Sequence, residues 1–288
     1  MEHVGDAPDA TVAAIVVTHD RPDVLALTLD SLLAQTHAIT KIFVVDSGST
    51  TDGTARVLAD RHDITLIAID DNVGYGAALS EGIEHAHAQL LPDYYWLLDD
   101  DSPVAPESLA RALALAASTE RLGIMGNRGG RMRAGLPRWF GSSSTEPRDA
   151  HFCTVDGALL TREAVRVSGT PRRDFFMMHE DIEYTTRIHS CGLRVLVADR
   201  VASQPMHLGA ATGATTFWRD YYQSRNHLRF ALDRRSLSGV AGWAVREGTM
   251  IAFAARRGRG RPKARAILRG ARDAIANNMG RTVEPGSI

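Results

Sequence analysis

Three consecutive carboxylates, Asp99, Asp100 and Asp101, follow directly on the mostly apolar run YYWLL at residues 94–98. Like charges packed side by side repel strongly unless water or a cation offsets them. Carboxylates at i and i+2 on an extended segment point to one side, so Asp99 and Asp101 can converge on a hard cation while Asp100 turns away; a shifted register is the alternative. Oxygen-only ligation by few protein groups suits Mg2+ or Mn2+ shared with a diphosphate. The purely architectural explanation is an acidic N-cap and first turn for the helix expected from about Pro106.

A second acidic pair, Glu180 and Asp181, stands in FFMMHEDIEYTTRIHSCG. A carboxylate there can serve as a general base or cap the helix that follows. It is no zinc signature, because position 183, where HExxH needs its second histidine, is Glu. His179 and His189 read as surface or capping groups. Asp46, in VVDSGSTTDGT, ends another apolar run and can accept hydrogen bonds from a nucleoside. Asp71 and Asn72 open DNVGYG, whose G-x-G lacks the third glycine of a dinucleotide fingerprint.

The elements that must position these groups alternate. TVAAIVV, KIFVV, ITLIAI and YYWLL read as buried strands, each followed by a helical pattern at roughly 25–30 residue spacing. Pro22 suits the first turn of the first helix. Such alternation means a mainly parallel sheet with helices on both faces. Each strand ends in polar residues, Thr18, Asp46, Asp71 with Asn72, then Asp99 to Asp101, at the carboxyl edge where open α/β sheets bind ligands. The Gly/Arg/Ser-rich segment 121–150 reads as an irregular connection or flap. A strand and helix start are expected in HFCTVDGALLTREAV, a loop and helix closed by Gly192 in DFFMMHEDIEYTTRIHSCG, a strand in RVLVA, and basic helices beyond Phe217 with a linker-like RRGRGRPK at 256–263.

With 288 residues, 44% hydrophobic and 23% charged, the composition is that of a globular protein. Cys153 and Cys191 make no disulfide framework and read as inert core residues, so a reducing compartment is the default. The N-terminal apolar run reads as a strand rather than a signal peptide, and no uninterrupted apolar stretch approaches the length needed to span a bilayer. The net charge of −1 conceals an asymmetry: from Arg219 onward stand 15 Lys/Arg against 5 Asp/Glu, leaving 18 against 29 before it. A basic tail on an acidic body suits an anionic surface or lipid phosphate, or else is simply solvated; nucleic acid would leave the carboxylate edge unexplained.

Taken together, THDRPDVLALTLDSLLAQT, VVDSGSTTDGT, DNVGYGAALSEGI, WLLDDDS and FFMMHEDIEYTTRIHSCG resemble the inverting family 2 glycosyltransferases of GT-A fold, over about residues 11–210. The sequence is most similar to bacterial rhamnosyl- and galactofuranosyltransferases of cell-wall or surface polysaccharide. The resemblance implies a GT-A domain over residues 1–216 and a helical, basic region over 217–288. It implies nucleotide-sugar contacts at Thr18, Arg21, Asp46, Asp71, Asn72, Gly76, Asp99 and Asp100, and a Mg2+ or Mn2+ site at Asp99, Asp101 and His207. Asp181 matches the catalytic base, with Glu180 as its alternative. The donor would be a UDP- or dTDP-sugar, and the acceptor a polyprenyl-diphosphate-linked sugar or a polysaccharide.

That chemistry is coherent. Displacing a nucleoside diphosphate develops charge that a divalent cation stabilises, through an oxocarbenium-like state, while the incoming hydroxyl gives its proton to a carboxylate on the opposite side. Trp96 is expected in the sheet and Trp139 as a stacking surface for the acceptor. Tyr222, Arg225 and Asn226 share a helical face and would bind acceptor or phosphate. The mixed basic and apolar stretch beyond them suits the inner face of a cytoplasmic membrane, a helical subdomain or self-association. A sugar-1-phosphate nucleotidyltransferase is the rival enzyme, although THDRPD lacks that chemistry's glycine-rich loop; a non-catalytic nucleotide-sugar-binding module is the other alternative.

Overall fold

The computed structural model describes residues 10–141, 146–198 and 217–284. Strands β1 (Val12–Thr18), β2 (Lys41–Ser47), β3 (Ile64–Ile69) and β4 (Tyr94–Asp99) alternate with helices α1 (Pro22–Leu33), α2 (Gly53–Leu58) and α3 (Tyr75–Leu90). After β4 come α4 (Ser108–Ala117) and strands β5 (Leu122–Gly126), β6 (Gly129–Arg133), β7 (Leu136–Trp139), β8 (Arg148–Ala150), β9 (Phe152–Cys153) and β10 (Ala158–Thr161). Helices α5 (Arg162–Ser168) and α6 (Glu180–Ser190) and strand β11 (Arg194–Val197) complete this part.

The main sheet runs β3-β2-β1-β4-β10-β5-β11-β8. β10 and β8 are antiparallel to their neighbours and the other pairings are parallel. Why β1 reads as an unbroken apolar run is visible in the packing. Ala13, Ile15 and Val17 face a core with α3, α5 and α6, whereas Val12, Ala14 and Val16 face a second core with α1 and α4. Trp96 is fully buried in that second core, as expected.

Segment 121–150 departs from expectation: it carries β5 to β8, not an irregular flap. β5 is masked by its two glycines, and Gly123 is needed where a Cβ would stand 2.5 Å from Ile188. β6 and β7 form a separate small sheet with β9, joined by a turn at Ala134 and Gly135, both at positive φ. Their arginines lie on exposed faces, so no apolar alternation marks them as strands.

Three helices follow, α7 (Phe217–Asp233), α8 (Leu237–Ala255) and α9 (Gly260–Ile275). The expected linker at 256–263 is shorter than its composition suggests: α9 begins at Gly260, with Pro262 in its first turn. α7 and α9 pack closely, Gly270 lying where a Cβ would meet the Tyr221 carbonyl at 2.5 Å. The helices also grip the segment leading into α6: Phe176 joins Trp218, Tyr221 and Tyr222 in one apolar cluster, and the Gly280 N–H donates to the Asp174 carbonyl at 2.9 Å. Among the described residues, no helix is long and apolar enough to cross a membrane.

Candidate active site

The chain order reverses direction between β1 and β4, the switch point where open α/β sheets form a crevice. A cavity of about 560 Å³ opens there. Thr18, Arg21, Asn72, Asp99, Asp100 and Asp101 line one side, and Glu180 and Asp181 at the start of α6 line another. Two acidic groups 80 residues apart in sequence thus share one chamber.

Register builds the floor. Thr18 pairs with Asp46 across β1 and β2, and Val17 pairs with Asp99 across β1 and β4. Regular pairing stops at Asp99, and Asp100 and Asp101 lie in a turn. Strand alternation therefore does not extend through the triplet, and Asp100 is not turned away. Its carboxylate accepts from the Thr18 hydroxyl at 2.8 Å and from Arg21 at 3.1 Å, while the same Arg21 nitrogen pairs with Asp101. The Asp100 backbone carbonyl accepts from Thr28, fixing the turn onto α1. Burial raises Asp100 to about 6, against the opposing pull of Arg21 and Thr18.

Asp99 differs. Its Oδ1 is shut off from solvent without a hydrogen-bond partner. Burial, then the neighbouring carboxylate of Asp156, pushes its pKa well above the carboxylate range. An orphaned buried carboxylate oxygen is satisfied by an entering cation, so the oxygen-only donor set of Asp99 and Asp101 fits Mg2+ or Mn2+. Among the described residues, no three acidic, histidine or cysteine side chains form a complete ligand set, so waters and ligand oxygens would have to supply the rest. His207 lies outside the described residues.

Asp156 escaped sequence reading. Its two oxygens accept from the Asp99 N–H at 3.0 Å and the Ser102 hydroxyl at 2.9 Å, pinning both ends of the acidic turn. The available signal was Asp-Gly after an apolar run, since Gly157 takes a positive φ at a turn. Tyr75, His19, Ser47, Met177 and Arg219 also line the cavity. Tyr75 was hidden inside a motif read for its glycines.

Other expected donor contacts divide. Asn72 lines the cavity and its side-chain carbonyl accepts from the Gly74 N–H at 3.0 Å, a self-capped turn. Asp71 is exposed and outside the lining. Asp46 stands beside Thr18 but spends Oδ1 on the Ser49 N–H, shaping the turn after β2. Gly76 does not face the cavity: it is buried in α3 where a Cβ would meet the Arg172 carbonyl at 2.9 Å, so it permits close approach of the 172–176 segment.

That approach places Glu180 and Asp181. Gly74, at φ +82°, lies where a Cβ would stand 2.0 Å from the Phe176 carbonyl, and the Tyr75 N–H donates to that carbonyl. Met178 and His179 take positive φ just before α6. His179 is buried, not a surface group, because it stacks on His227 at 4.8 Å and meets Phe230 edge-on. Burial holds it well below its ordinary pKa. Burial also raises Asp181 to about 6 and, with the Asp181 charge adding, Glu180 to about 8. Glu180 Oε2 has no partner, while Asp181 Oδ1 accepts from the Ile182 N–H at 2.6 Å.

Tyr222, Arg225 and Asn226 do not reach a ligand surface; all three are fully buried. The Tyr222 hydroxyl donates to the Val283 carbonyl, Arg225 donates to Gly280 and Thr282, and the Asn226 amide donates to the carbonyls of Met177 and Met178. Helical spacing put them on one face, but that face looks inward, at the segment leading into α6. Trp139 is 44% exposed on β7, edge-on to Phe152, away from this lining. Cys153 is buried as expected; Cys191 is exposed at the end of α6, not a core residue, because the helix ends there on the surface.

Residues 13–169 match the profile of Glycosyl transferase family 2. The chain belongs to that family. Its central sheet and flanking helices are those of GT-A structures: the mannosyltransferase PcManGT from Pyrobaculum calidifontis, solved with GDP-Man and Mn2+, superposes with a TM-score of 0.61 at 17% identity, over 93% of this chain and 88% of that one. GalNAc-T7, solved with UDP, GalNAc and Mn2+, gives 0.59 at 16% identity over 77% of this chain and 48% of that one. Among relatives, galactofuranosyltransferase GlfT1 of Mycobacterium tuberculosis is 30% identical over 204 residues, and that of Mycolicibacterium smegmatis 27% over 201. The match spans 64% of this chain and 66% of the first relative's length.

Proposed function

We propose that this chain is an inverting glycosyltransferase that moves a sugar from a nucleoside diphosphate to a hydroxyl of a lipid-linked or polysaccharide acceptor. One observation carries the reading: a single cavity at the β1–β4 switch point holds Asp99 to Asp101 on one side and Glu180 with Asp181 on another. Galactofuranose from a UDP-sugar is the favoured donor, supported by the similarity to the GlfT1 enzymes, and rhamnose from a dTDP-sugar is the runner-up.

Thr18, Asp46 and Asn72 line the strand ends where the nucleoside would lie. Mg2+ or Mn2+ held by Asp99 and Asp101 would supply electrostatic stabilisation of the departing diphosphate. Arg21 balances the acidic turn and is within reach of the same phosphates. Asp181 takes the proton of the acceptor hydroxyl; its pKa near 6 leaves it ionised at neutral pH yet more basic than an exposed Asp. Glu180, raised further by burial and the neighbouring Asp181 charge, is the alternative base. Residues 1–216 act as the donor and catalytic unit, and 217–288 brace it and face the acceptor's environment. The exposed Leu237, Val245 and Phe253 of α8, with the arginines at 256–261, support contact with an anionic membrane surface.

The test is a thermal-shift screen of UDP-galactofuranose, UDP-galactose and dTDP-rhamnose with and without Mn2+, followed by NMR of the product's anomeric configuration. Cation-dependent stabilisation by one donor and an inverted product are expected. Absence of any donor-dependent shift, or a retained configuration, sinks the reading.

A further inference from the structure

A second cavity, of about 300 Å³, lies at the far end of α6, bounded by the β6–β7 turn, α7 and the start of α8. Its polar lining is unusual for having no carboxylate: His151, His189, His227, Arg234 and the hydroxyls of Thr186, Ser190, Ser236 and Ser238. One of these groups is buried without a partner: Thr186 Oγ1, in a residue 5% exposed. His227 Nδ1 is unpaired as well, but its Nε2 donates to the Gly135 carbonyl at 3.2 Å, so Nδ1 is an acceptor and serves no anion. A buried polar atom left unpaired costs free energy unless something arrives to pair it.

The remaining groups favour an anion. His151 and His189 stack at 4.9 Å, and His151 Nδ1 is already occupied by the Met132 N–H, which leaves its Nε2 for a ligand. Arg234 bonds the Ser190 hydroxyl at 3.2 Å, so it reaches over the cavity. The N-terminus of the 19-residue α8 lies here, capped by Ser236, and a helix N-terminus attracts negative charge. The carbonyl ends of α6 and α7 also reach this region and oppose an anion, an effect that His189 and Arg234 at those ends offset. Asp149, whose charge reaches His189, is engaged by Arg194 at 2.8 Å; Arg131 adds positive charge beside His151, while Arg246 is paired with Glu247.

We infer that this cavity binds a phosphate oxyanion, and that its source is the phosphate of a lipid-linked acceptor. The choice of lipid rests on the glycosyltransferase reading; the choice of phosphate does not. Leu237, between the two lining serines, is 88% exposed, and with Ala241 and Val245 at the next i+4 positions it opens an exposed stripe of α8 without a charge. An isoprenoid leaving the cavity would run along that face. Asp181 to Ser190 spans about 13 Å of helix at 1.5 Å per residue, so a phosphate held here is separated from the acceptor hydroxyl by intervening sugar and is not the donor's diphosphate.

The experiment follows the imidazole signals of 13C-histidine-labelled full-length protein by NMR during titration with inorganic phosphate and, separately, farnesyl phosphate. The expected result is a saturable shift of His151 and His189 with both, at lower concentration for farnesyl phosphate, and about a tenfold weaker response in exposed-site variant Arg234→Gln. Equal affinity for the two probes would keep the oxyanion site and overturn the lipid source. No shift of either imidazole, or a shift unchanged by Arg234→Gln, overturns the site itself. Donor binding, read by thermal shift in the same samples, fails or succeeds independently.

Discussion

The guanidinium of Arg21 reaches across from the start of α1 and holds Asp100 at 3.1 Å while pairing with Asp101, so a side-chain cation already sits against the acidic turn. A divalent ion entering at Asp99 and Asp101 must compete with it. Arg21→Gln is therefore expected to bind Mn2+ about tenfold more tightly without nucleotide, the scale of one charge-assisted contact. Calorimetric Mn2+ titration of both proteins checks this. Equal or weaker affinity in the variant would mean that Arg21 organises the carboxylates rather than competing for them.

Asp181→Asn should keep donor binding and lose transfer by roughly a hundredfold or more, the usual contribution of a positioned base. Glu180→Gln should lose less. Initial rates with saturating donor, alongside thermal shift for binding, separate the two; normal turnover by Asp181→Asn would move the base to Glu180.

The raised acids also make a stability prediction. Glu180 is raised to about 8 in the folded protein, from an ordinary value of 4.5. Its contribution is fully present below the lower value and is lost as pH rises through the higher one. Glu180→Gln abolishes that loss, so its melting temperature relative to the parent should climb between pH 5 and pH 9, by about 2–4 °C per kcal/mol. Scans at four pH values suffice, and a constant difference would contradict the burial argument.

Asn226 donates to the carbonyls of Met177 and Met178 at 2.9 and 2.8 Å, and Met178 is the first of the two positive-φ residues that aim Glu180 and Asp181. Asn226→Ala should cost about 1–3 kcal/mol in chemical denaturation through the orphaned carbonyls. If the amide positions the loop, kcat should fall more than the donor KM rises. A variant destabilised but with unchanged kcat would confine Asn226 to structure.

The parallel half of the sheet was legible because β1, β2 and β4 are buried on both faces and read as unbroken apolar runs with polar ends, and the half-exposed edge strand β3 is apolar as well. Thr18, Asn72 and the acidic triplet follow from those ends, and they share a cavity with Arg21 and the Glu180–Asp181 pair, which the family's motifs brought in. What escaped was set by contacts at long range. Asp156 matters through the Asp99 N–H, 57 residues away. β6 and β7 carry arginines outward, leaving no periodicity to see. Tyr222, Arg225 and Asn226 have residue types suited to ligands, and only packing shows that they serve the loop beneath them. Gly76 likewise belongs to the same loop's close approach rather than to the donor.

The segment from Asn278 to Val283 connects both halves of the site: Arg225 and Tyr222 hold it, Gly280 bonds Asp174 ahead of the catalytic loop, and Arg281 donates to the Asn72 carbonyl at 3.3 Å. These residues leave the ribosome roughly a hundred positions after Asp181. A nascent chain can thus form the donor-binding sheet well before its catalytic loop is braced. Transfer competence arrives late in synthesis, as a consequence of where the brace is encoded.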